Sequence, residues 1–142
     1  MAEESIIKLH YTVDGTDFSL AGEASGAVKK VLKQLGFSAE TIRRVAVAMY
    51  ECEINMVIHA NGGEIDVEIS PDKIRMIHKD VGPGIEDIDK AMQEGYSTAS
   101  ERIRELGFGA GMGLPNMKKY TDKMEITTEP GVGTTVDMTV FV

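Results

Sequence analysis

Residues 64–80 have the sequence EIDVEISPDKIRMIHKD, and this stretch decides the fold class. Apolar and polar residues alternate over residues 64–70, which is typical of a strand with one buried face. A Pro-Asp pair at residues 71–72 is a turn signal, and residues 73–78 then continue as a second strand. The stretch therefore predicts a β-hairpin, whose two strands are antiparallel.

The segments before this hairpin predict a strand, a short return strand at residues 17–20, and two helices. Residues 6–13 alternate loosely and carry β-branched and aromatic side chains, as strands do. Residues 24–35 have apolar positions at helical spacing, and a glycine follows them as a C-terminal stop. Residues 38–59 form a longer helical pattern with Ser38 in its N-cap region, and an Asn-Gly-Gly sequence at residues 61–63 ends it.

The segments after the hairpin begin with a glycine-rich stretch of little periodicity, from about residue 82 to residue 113. Two short helices are predicted within the stretch, at residues 85–92 and 101–106. A third helix is predicted at residues 114–120, and a final pair of strands at residues 123–128 and 134–141. Helices and strands are grouped instead of alternating strictly. The order therefore predicts an α+β fold, a two-layer sandwich of helices on one face of a mixed, mostly antiparallel sheet.

Length and composition predict one ordinary globular domain spanning residues 1–142. Hydrophobic residues make up 42% and charged residues 27% of the chain, which is the usual balance for such a domain. No apolar run reaches the roughly 18 residues that a membrane-spanning helix needs. The N-terminus lacks the basic and apolar regions of a secretion signal, and the single cysteine, Cys52, allows no internal disulfide. We therefore expect a cytoplasmic protein without membrane contact.

The formal net charge of −8 argues against nucleic acid as the main partner. An acidic surface repels DNA, RNA and anionic lipid at long range. We therefore expect no direct nucleic-acid binding and look for chemistry elsewhere.

The first candidate site lies in the long predicted helix, where Glu51, Asn55 and His59 recur every four residues and share a face. Apolar residues occupy a different stripe, which predicts the core side of the helix. An amide oxygen such as that of Asn55 suits Mg²⁺, and a carboxylate such as that of Glu51 can orient or deprotonate a nucleophile. Taken alone, this pattern is more often an exposed polar face.

The second candidate site is the sequence Asp-Val-Gly-Pro-Gly-Ile that begins at Asp80, directly after the predicted hairpin. Gly82 and Gly84 let the backbone approach a ligand closely. A carboxylate at a strand end can accept a hydrogen bond from an amino group such as that of adenine. A tight turn explains the same residues without a ligand.

The third candidate site is residues 107–114, GFGAGMGL, which have glycine at every second position. The N–H groups around Gly109, Gly111 and Gly113, together with the start of the helix near Leu114, make an anion site suited to phosphates. No Lys-Ser or Lys-Thr pair follows, and no βαβ unit surrounds the stretch, which argues against a Walker A loop and a Rossmann site. A merely flexible loop is the alternative.

A fourth sequence, Gly-Val-Gly-Thr ending at Thr134, precedes the last predicted strand, where a plain hairpin turn is the simpler explanation. The four features become specific in combination and order. Glu-x-x-x-Asn on a helix, Asp-x-Gly-x-Gly after a strand, a glycine-rich loop opening a helix and Gly-x-Gly-Thr before a strand resemble the GHKL ATPase superfamily. That superfamily includes DNA gyrase, the heat-shock chaperone, histidine kinases and mismatch-repair ATPases.

Within the superfamily, the sequences DVGPGIEDI, EGYSTAS and GAGMGLPNMKKYTDKMEI resemble the small bacterial anti-sigma-factor serine/threonine kinases and the switch kinase of the stressosome. The resemblance covers the chain from Glu51 to its end. It implies a single GHKL domain with the Bergerat ATP-binding fold, using ATP or ADP and Mg²⁺.

The resemblance also implies roles for the candidate residues. Glu51 would be the general base, and Asn55 would coordinate Mg²⁺. Asp80 would bind the adenine amino group, with Thr134 assisting through water. The residues that would shape the pocket wall and admit the phosphates are Gly82, Gly84, Gly109, Gly111, Gly113 and Leu114. His59 receives no catalytic role, and Arg102 and Arg104 are either γ-phosphate contacts or solvated helix charges.

The function implied is phosphorylation of a serine or threonine on a STAS-type anti-sigma antagonist, in a pathway that controls a sigma factor. Two alternatives stay open: a nucleotide-gated protein that sequesters a sigma factor or another regulator, and a detached histidine-kinase ATP domain. A DNA-topology or repair ATPase is disfavoured, because no transducer domain or basic surface is expected. The resemblance also allows a homodimer.

Overall fold

The computed structural model describes residues 6–14, 22–58, 62–81, 113–129 and 131–142. The helices and strands expected within these ranges are confirmed, with small shifts at their ends. They are β1 Ile7–Asp14, α1 Glu23–Gln34, α2 Ala39–Ile58, β2 Gly62–Ile69, β3 Lys73–Asp80, α3 Gly113–Tyr120, β4 Lys123–Glu129 and β5 Gly133–Phe141. The short return strand expected at residues 17–20 and the helices expected at residues 85–92 and 101–106 lie outside the described residues.

The five described strands form one sheet in the order β1-β2-β3-β5-β4. Every neighbouring pair is antiparallel, including the predicted hairpin of β2 and β3. The expected α+β sandwich is confirmed, and among the described strands the sheet contains no parallel pair. Because β5 and not β4 pairs with β3, the start of β5 lies beside the end of β3. This arrangement places Thr134 next to Asp80.

The core lies between one face of the sheet and the three described helices. Alternate residues of the central strands and one stripe of α2 face it, as their periodicity predicts. Its buried side chains include Val45, Met49, Cys52, Met56, Ile65, Val67, Ile74, Met76, Val136 and Met138. No helix within the described ranges is both long and apolar enough to cross a bilayer.

A buried carboxylate on α2 holds the beginning of α1. Glu53 is 2% exposed and accepts hydrogen bonds from the backbone N–H groups of Gly22, Ala24 and Ser25, at 2.9, 3.2 and 3.1 Å. These N–H groups have no acceptor within the helix, and α1 has no side-chain cap from its own N-cap residue. The negative charge of Glu53 also interacts favourably with the positive end of the α1 helix dipole. Glu53 therefore fixes α1 against α2.

Replacing Glu53 by alanine should lower the free energy of unfolding by about 3 kcal/mol, since three buried donors lose a charged acceptor. Urea unfolding followed by circular dichroism measures this change. Glu129→Ala, at an exposed position in β4, is the matched control and should change stability by less than about 0.5 kcal/mol. Equal losses in the two variants would contradict the role given to Glu53.

Candidate functional site

Asp80 lies at the end of β3, beside the start of β5. The backbone N–H of Thr134 donates a hydrogen bond to Asp80 Oδ1 at 2.8 Å. Burial raises the pKa of Asp80, and the hydrogen bond from Thr134 opposes that rise only in part. Among the described residues, Oδ1 has this donor and Oδ2 has none.

Two glycines, one in each of the strands that flank β3, allow close packing of the backbone at the end of β3. A Cβ atom at Gly133 would overlap the carbonyl oxygen of Asp80, and one at Gly63 would overlap the carbonyl oxygen of Lys79. Both glycines also have positive φ angles, 154° and 151°, which residues with side chains rarely adopt. The backbone of β2 and β5 therefore packs closely against the end of β3, and this packing fixes the backbone position from which the Asp80 side chain extends.

Glu51 and Asn55 lie one turn apart on α2, and both are partly buried. The side-chain amide of Asn116, in the first half of α3, donates to Glu51 Oε1 at 3.4 Å. Since α3 begins at Gly113 and its Leu114 is buried, the start of this helix is packed beside Glu51.

Cys52 connects this face of α2 to the end of β3. Its thiol is buried, and burial is the main cause that raises its pKa well above the ordinary value. The negative charges of Asp80 and Glu53 raise it further, so this thiol of α2 is coupled electrostatically to the carboxylate at the end of β3.

The described residues include six of the predicted site residues, and these occupy α2, the start of α3 and the adjoining ends of β3 and β5. They are Glu51, Asn55, Asp80, Gly113, Leu114 and Thr134. The other candidates lie outside the described residues: His59, Gly82, Gly84, Arg102, Arg104, Gly109 and Gly111. No cluster of three or more His, Cys, Asp and Glu side chains within the described part could hold a metal ion.

Three residues near the site were missed by sequence reasoning. Asn116 carries no spacing signal, because its contact with Glu51 joins residues far apart in the chain. Glu53 does carry a signal in the sequence, because it is a charged residue within the buried stripe of α2. His78 also carries one, because the alternation of β3 places it on the core side with Ile74 and Met76.

His78 is buried in the sheet two residues before Asp80. It is 1% exposed, and neither ring nitrogen has a hydrogen-bond partner among the described residues. Its cross-strand neighbours are Ile65 and Val136, so its surroundings are apolar. Burial lowers the pKa of His78 to about 3, and the ring is therefore neutral in the folded protein at neutral pH.

This histidine should make the protein acid-sensitive. In the unfolded chain His78 gains a proton below its ordinary pKa of 6.5, whereas in the fold it stays neutral down to about pH 3. Between these values the unfolded state binds more protons, so acidification lowers stability by up to about 1.4 kcal/mol per pH unit.

Urea unfolding of wild type and His78→Leu between about pH 7 and pH 4 tests this, and the variant should lose much less stability on acidification. His10→Gln is the control. His10 is exposed, and its hydrogen bond to Asp66 raises its pKa, so it contributes with the opposite sign. That variant should keep the acid loss, and parallel curves for wild type and His78→Leu would contradict the assignment to His78.

Comparison with known protein families gives a match over most of the chain. The model of the family described as the histidine kinase-like ATPase domain matches residues 17–140. The serine/threonine-protein kinase RsbT of Bacillus subtilis (strain 168) is 33% identical over 112 residues, which cover 76% of this chain and 78% of that protein. The anti-sigma F factor of Thermoanaerobacter sp. (strain X514) is 37% identical over 114 residues, covering 77% and 76%.

A solved structure has the same fold. It is the crystal structure of the RsbU and RsbW domains of Rv1364c from Mycobacterium tuberculosis, with a TM-score of 0.64 and 18% sequence identity. The similarity covers 94% of this chain and 32% of that longer chain. At this identity the similarity shows the architecture alone.

Proposed function

This chain belongs to the histidine kinase-like ATPase domain family, and we propose that it is a serine/threonine-protein kinase that transfers the γ-phosphate of ATP to a partner protein. The resemblance inferred from the order of its motifs is confirmed at the level of the family. The relatives named a serine/threonine-protein kinase and an anti-sigma F factor support the reaction. One observation carries the proposal: the carboxylate of Glu51 is partly buried and contacts the beginning of α3 through Asn116.

The end of β3 fits an adenine base. Adenine offers an amino group that needs an acceptor, and Asp80 Oδ2 is an acceptor without a donor among the described residues. Oδ1 already receives the N–H of Thr134, so the carboxylate plane is fixed before a ligand binds. The glycines at positions 63 and 133 fix the backbone behind the carboxylate. We assign Asp80 to recognition of the base, with Thr134 as its support.

The partly buried face of α2 that carries Glu51 and Asn55 fits the phosphate end of the nucleotide. The amide oxygen of Asn55 is a hard ligand of the kind that Mg²⁺ takes, and the metal would neutralise phosphate charge. Glu51, one turn away, takes the proton from the acceptor hydroxyl. The hydroxyl oxygen then bonds to the γ-phosphorus as the bond from that phosphorus to the bridging oxygen breaks and ADP leaves. The N-terminus of α3 at Gly113 and Leu114 supplies N–H donors for phosphate oxygens.

The substrate that we propose is a STAS-type anti-sigma antagonist in the cytoplasm, and the pathway controls a sigma factor. The basis is the name of the anti-sigma F factor relative. The second candidate is a nucleotide-gated anti-sigma or switch protein that binds its partner without phosphorylating it. The same relative favours this candidate, since an anti-sigma factor acts by binding.

Asp80→Asn should weaken ATP binding by about 10- to 100-fold, as expected for the loss of one buried hydrogen bond. Asparagine offers one acceptor and one donor where the site needs two acceptors, one for Thr134 and one for the base. Titration calorimetry with ATP and Mg²⁺ measures the change. Asp66→Asn, on the opposite sheet face, is the control and should bind normally. Unchanged affinity in Asp80→Asn would remove Asp80 from the base site.

Glu51→Ala should retain ATP affinity but lower phosphotransfer by at least about 100-fold, the usual contribution of a general base. The measurement is incubation with labelled ATP and Mg²⁺, alone and with the proteins encoded beside this chain. Glu40→Ala is the matched control, because Glu40 is an exposed carboxylate at the start of the same helix. Equal transfer by wild type and Glu51→Ala would refute Glu51 as the base.

The chemical nature of the product separates the candidate functions. A phosphoserine or phosphothreonine on the partner supports the kinase. Partner affinity that differs between ADP and ATP, with no phosphorylated product, supports the nucleotide-gated binder. An acid-labile, alkali-stable phosphohistidine would support a detached histidine-kinase domain instead.

A further inference from the structure

The proposed base lies in a row of side chains that continues along α2 beyond the nucleotide site. Arg43, Val47, Glu51 and Asn55 follow one another at four-residue spacing, so each is the neighbour of the next in a row that runs obliquely along the helix surface. Val47, Glu51 and Asn55 are partly buried, and Arg43 is exposed. At 1.5 Å per residue, Arg43 stands about 12 Å along the helix from Glu51.

Helix α3 runs beside this row. Asn116 contacts Glu51, and one turn later Tyr120 contacts Arg43, whose Nη2 donates to the tyrosine oxygen at 3.3 Å. The two helices therefore lie side by side along this row, and we call the surface that they form there the α2–α3 surface. The proposed base lies at one end of this surface, and the positive charge of Arg43 lies at its other end.

That positive end contains two cations gathered on one aromatic ring. The guanidinium carbon of Arg43 lies 5.5 Å, and the Nζ atom of Lys119 lies 5.6 Å, from the centre of the Tyr120 ring. Contacts of this kind stabilise each cation but leave its charge unneutralised. We call Arg43, Lys119 and Tyr120 the cationic cluster.

Within the described residues, no carboxylate lies within ion-pair distance of either cation of the cluster. Other arginines in the same part of the chain do have such partners: Arg44 pairs with Asp122 at 3.1 Å, and Arg75 pairs with Asp137 at 2.6 Å. The cluster is thus a local excess of positive charge on a chain of net charge −8. Two like charges held on one ring repel each other, and an anion placed between them would relieve that repulsion.

We propose that the α2–α3 surface is the docking track for the protein substrate, with a carboxylate of the partner on the cationic cluster and the acceptor hydroxyl at Glu51. This inference rests on the proposed kinase function and adds a recognition rule to it. The substrate carries an aspartate or glutamate about 12 Å from the serine or threonine that is phosphorylated. Val47, between the two ends, contacts an apolar side chain of the partner.

The chemistry favours an acidic protein surface over a polyanion. Nucleic acid or an anionic membrane presents many phosphates, and the net negative charge around a two-cation cluster repels such a surface. A single carboxylate can be bound by Arg43 and Lys119 alone, because at physiological salt the more distant negative charges of the chain are screened.

The test uses the partner protein that wild type phosphorylates in the labelled-ATP assay. The variants are Arg43→Gln, Lys119→Gln and the double variant, with Lys30→Gln as the control for loss of one exposed charge on α1. Each single variant of the cluster should raise KM for the partner about 5- to 10-fold, because a rim charge contact is lost. The value of kcat, KM for ATP and the melting temperature should stay within the range of the Lys30→Gln control.

Salt dependence and the mapped phosphosite provide two further readouts. Raising NaCl from about 50 to about 500 mM should increase KM for the partner in wild type and much less in the double variant. Mass spectrometry identifies the phosphorylated residue, and the structure of the partner should show an aspartate or glutamate about 12 Å from it. Replacing that carboxylate by lysine should restore the KM of an Arg43→Glu variant toward the wild-type value.

The outcomes separate this inference from the function on which it rests. If wild type phosphorylates no protein, the proposed kinase function fails and the docking track fails with it. If transfer occurs and the cluster variants match Lys30→Gln in KM, the kinase function stands and the docking track is wrong. A phosphosite without a carboxylate near 12 Å also overturns the docking track alone.

Discussion

The hydrogen bond from the Thr134 N–H to Asp80 depends on the pairing of β5 with β3, and the site is built around it. If β4 had paired with β3 instead, the start of β5 would lie at the sheet edge and Asp80 would lack this donor. The glycines at 63 and 133 permit the close approach that the pairing requires. One oxygen of the carboxylate thus accepts a hydrogen bond from the fold itself, which agrees with the proposed role of Asp80 as a preorganised acceptor for the base.

Helix α2 connects this strand end to the rest of the molecule. Its apolar stripe packs on the sheet, Glu53 holds the start of α1, and Glu51 contacts α3. Two carboxylates, those of Glu53 and Asp80, act electrostatically on the buried thiol of Cys52. Within the part of the chain that the structure describes, Glu53 accepts hydrogen bonds from three N–H donors and Asp80 from one, and burial raises the pKa of Asp80. The uneven stabilisation matches the assignment, because a structural carboxylate needs full hydrogen bonding and a ligand-binding carboxylate needs a free oxygen.

Local pattern was sufficient for those elements whose partners lie nearby in the chain. The alternation over residues 64–80 predicted the hairpin of β2 and β3, and the apolar spacing of α2 predicted its buried stripe. The placement of β5 beside β3 and the contact between Glu51 and Asn116 could not be predicted, because both join residues far apart in sequence and no local propensity encodes them. For Asn55, Asp80 and Thr134, the family resemblance supplied roles that spacing alone left open.

The proposed docking rule is a fixed distance between two contacts on the partner, and it therefore depends on the rigidity of the α2–α3 pair. Both ends of the α2–α3 surface lie on regular helices, and at each end a side-chain contact joins the two helices, Asn116 to Glu51 and Arg43 to Tyr120. A separation set by helical rise cannot adapt to each partner as a loop can. A protein that presents its carboxylate at the wrong distance would then bind without placing its hydroxyl at Glu51. Selectivity in such a kinase follows from the spacing of two charges of opposite sign on the same helix face, and it requires no additional specificity pocket.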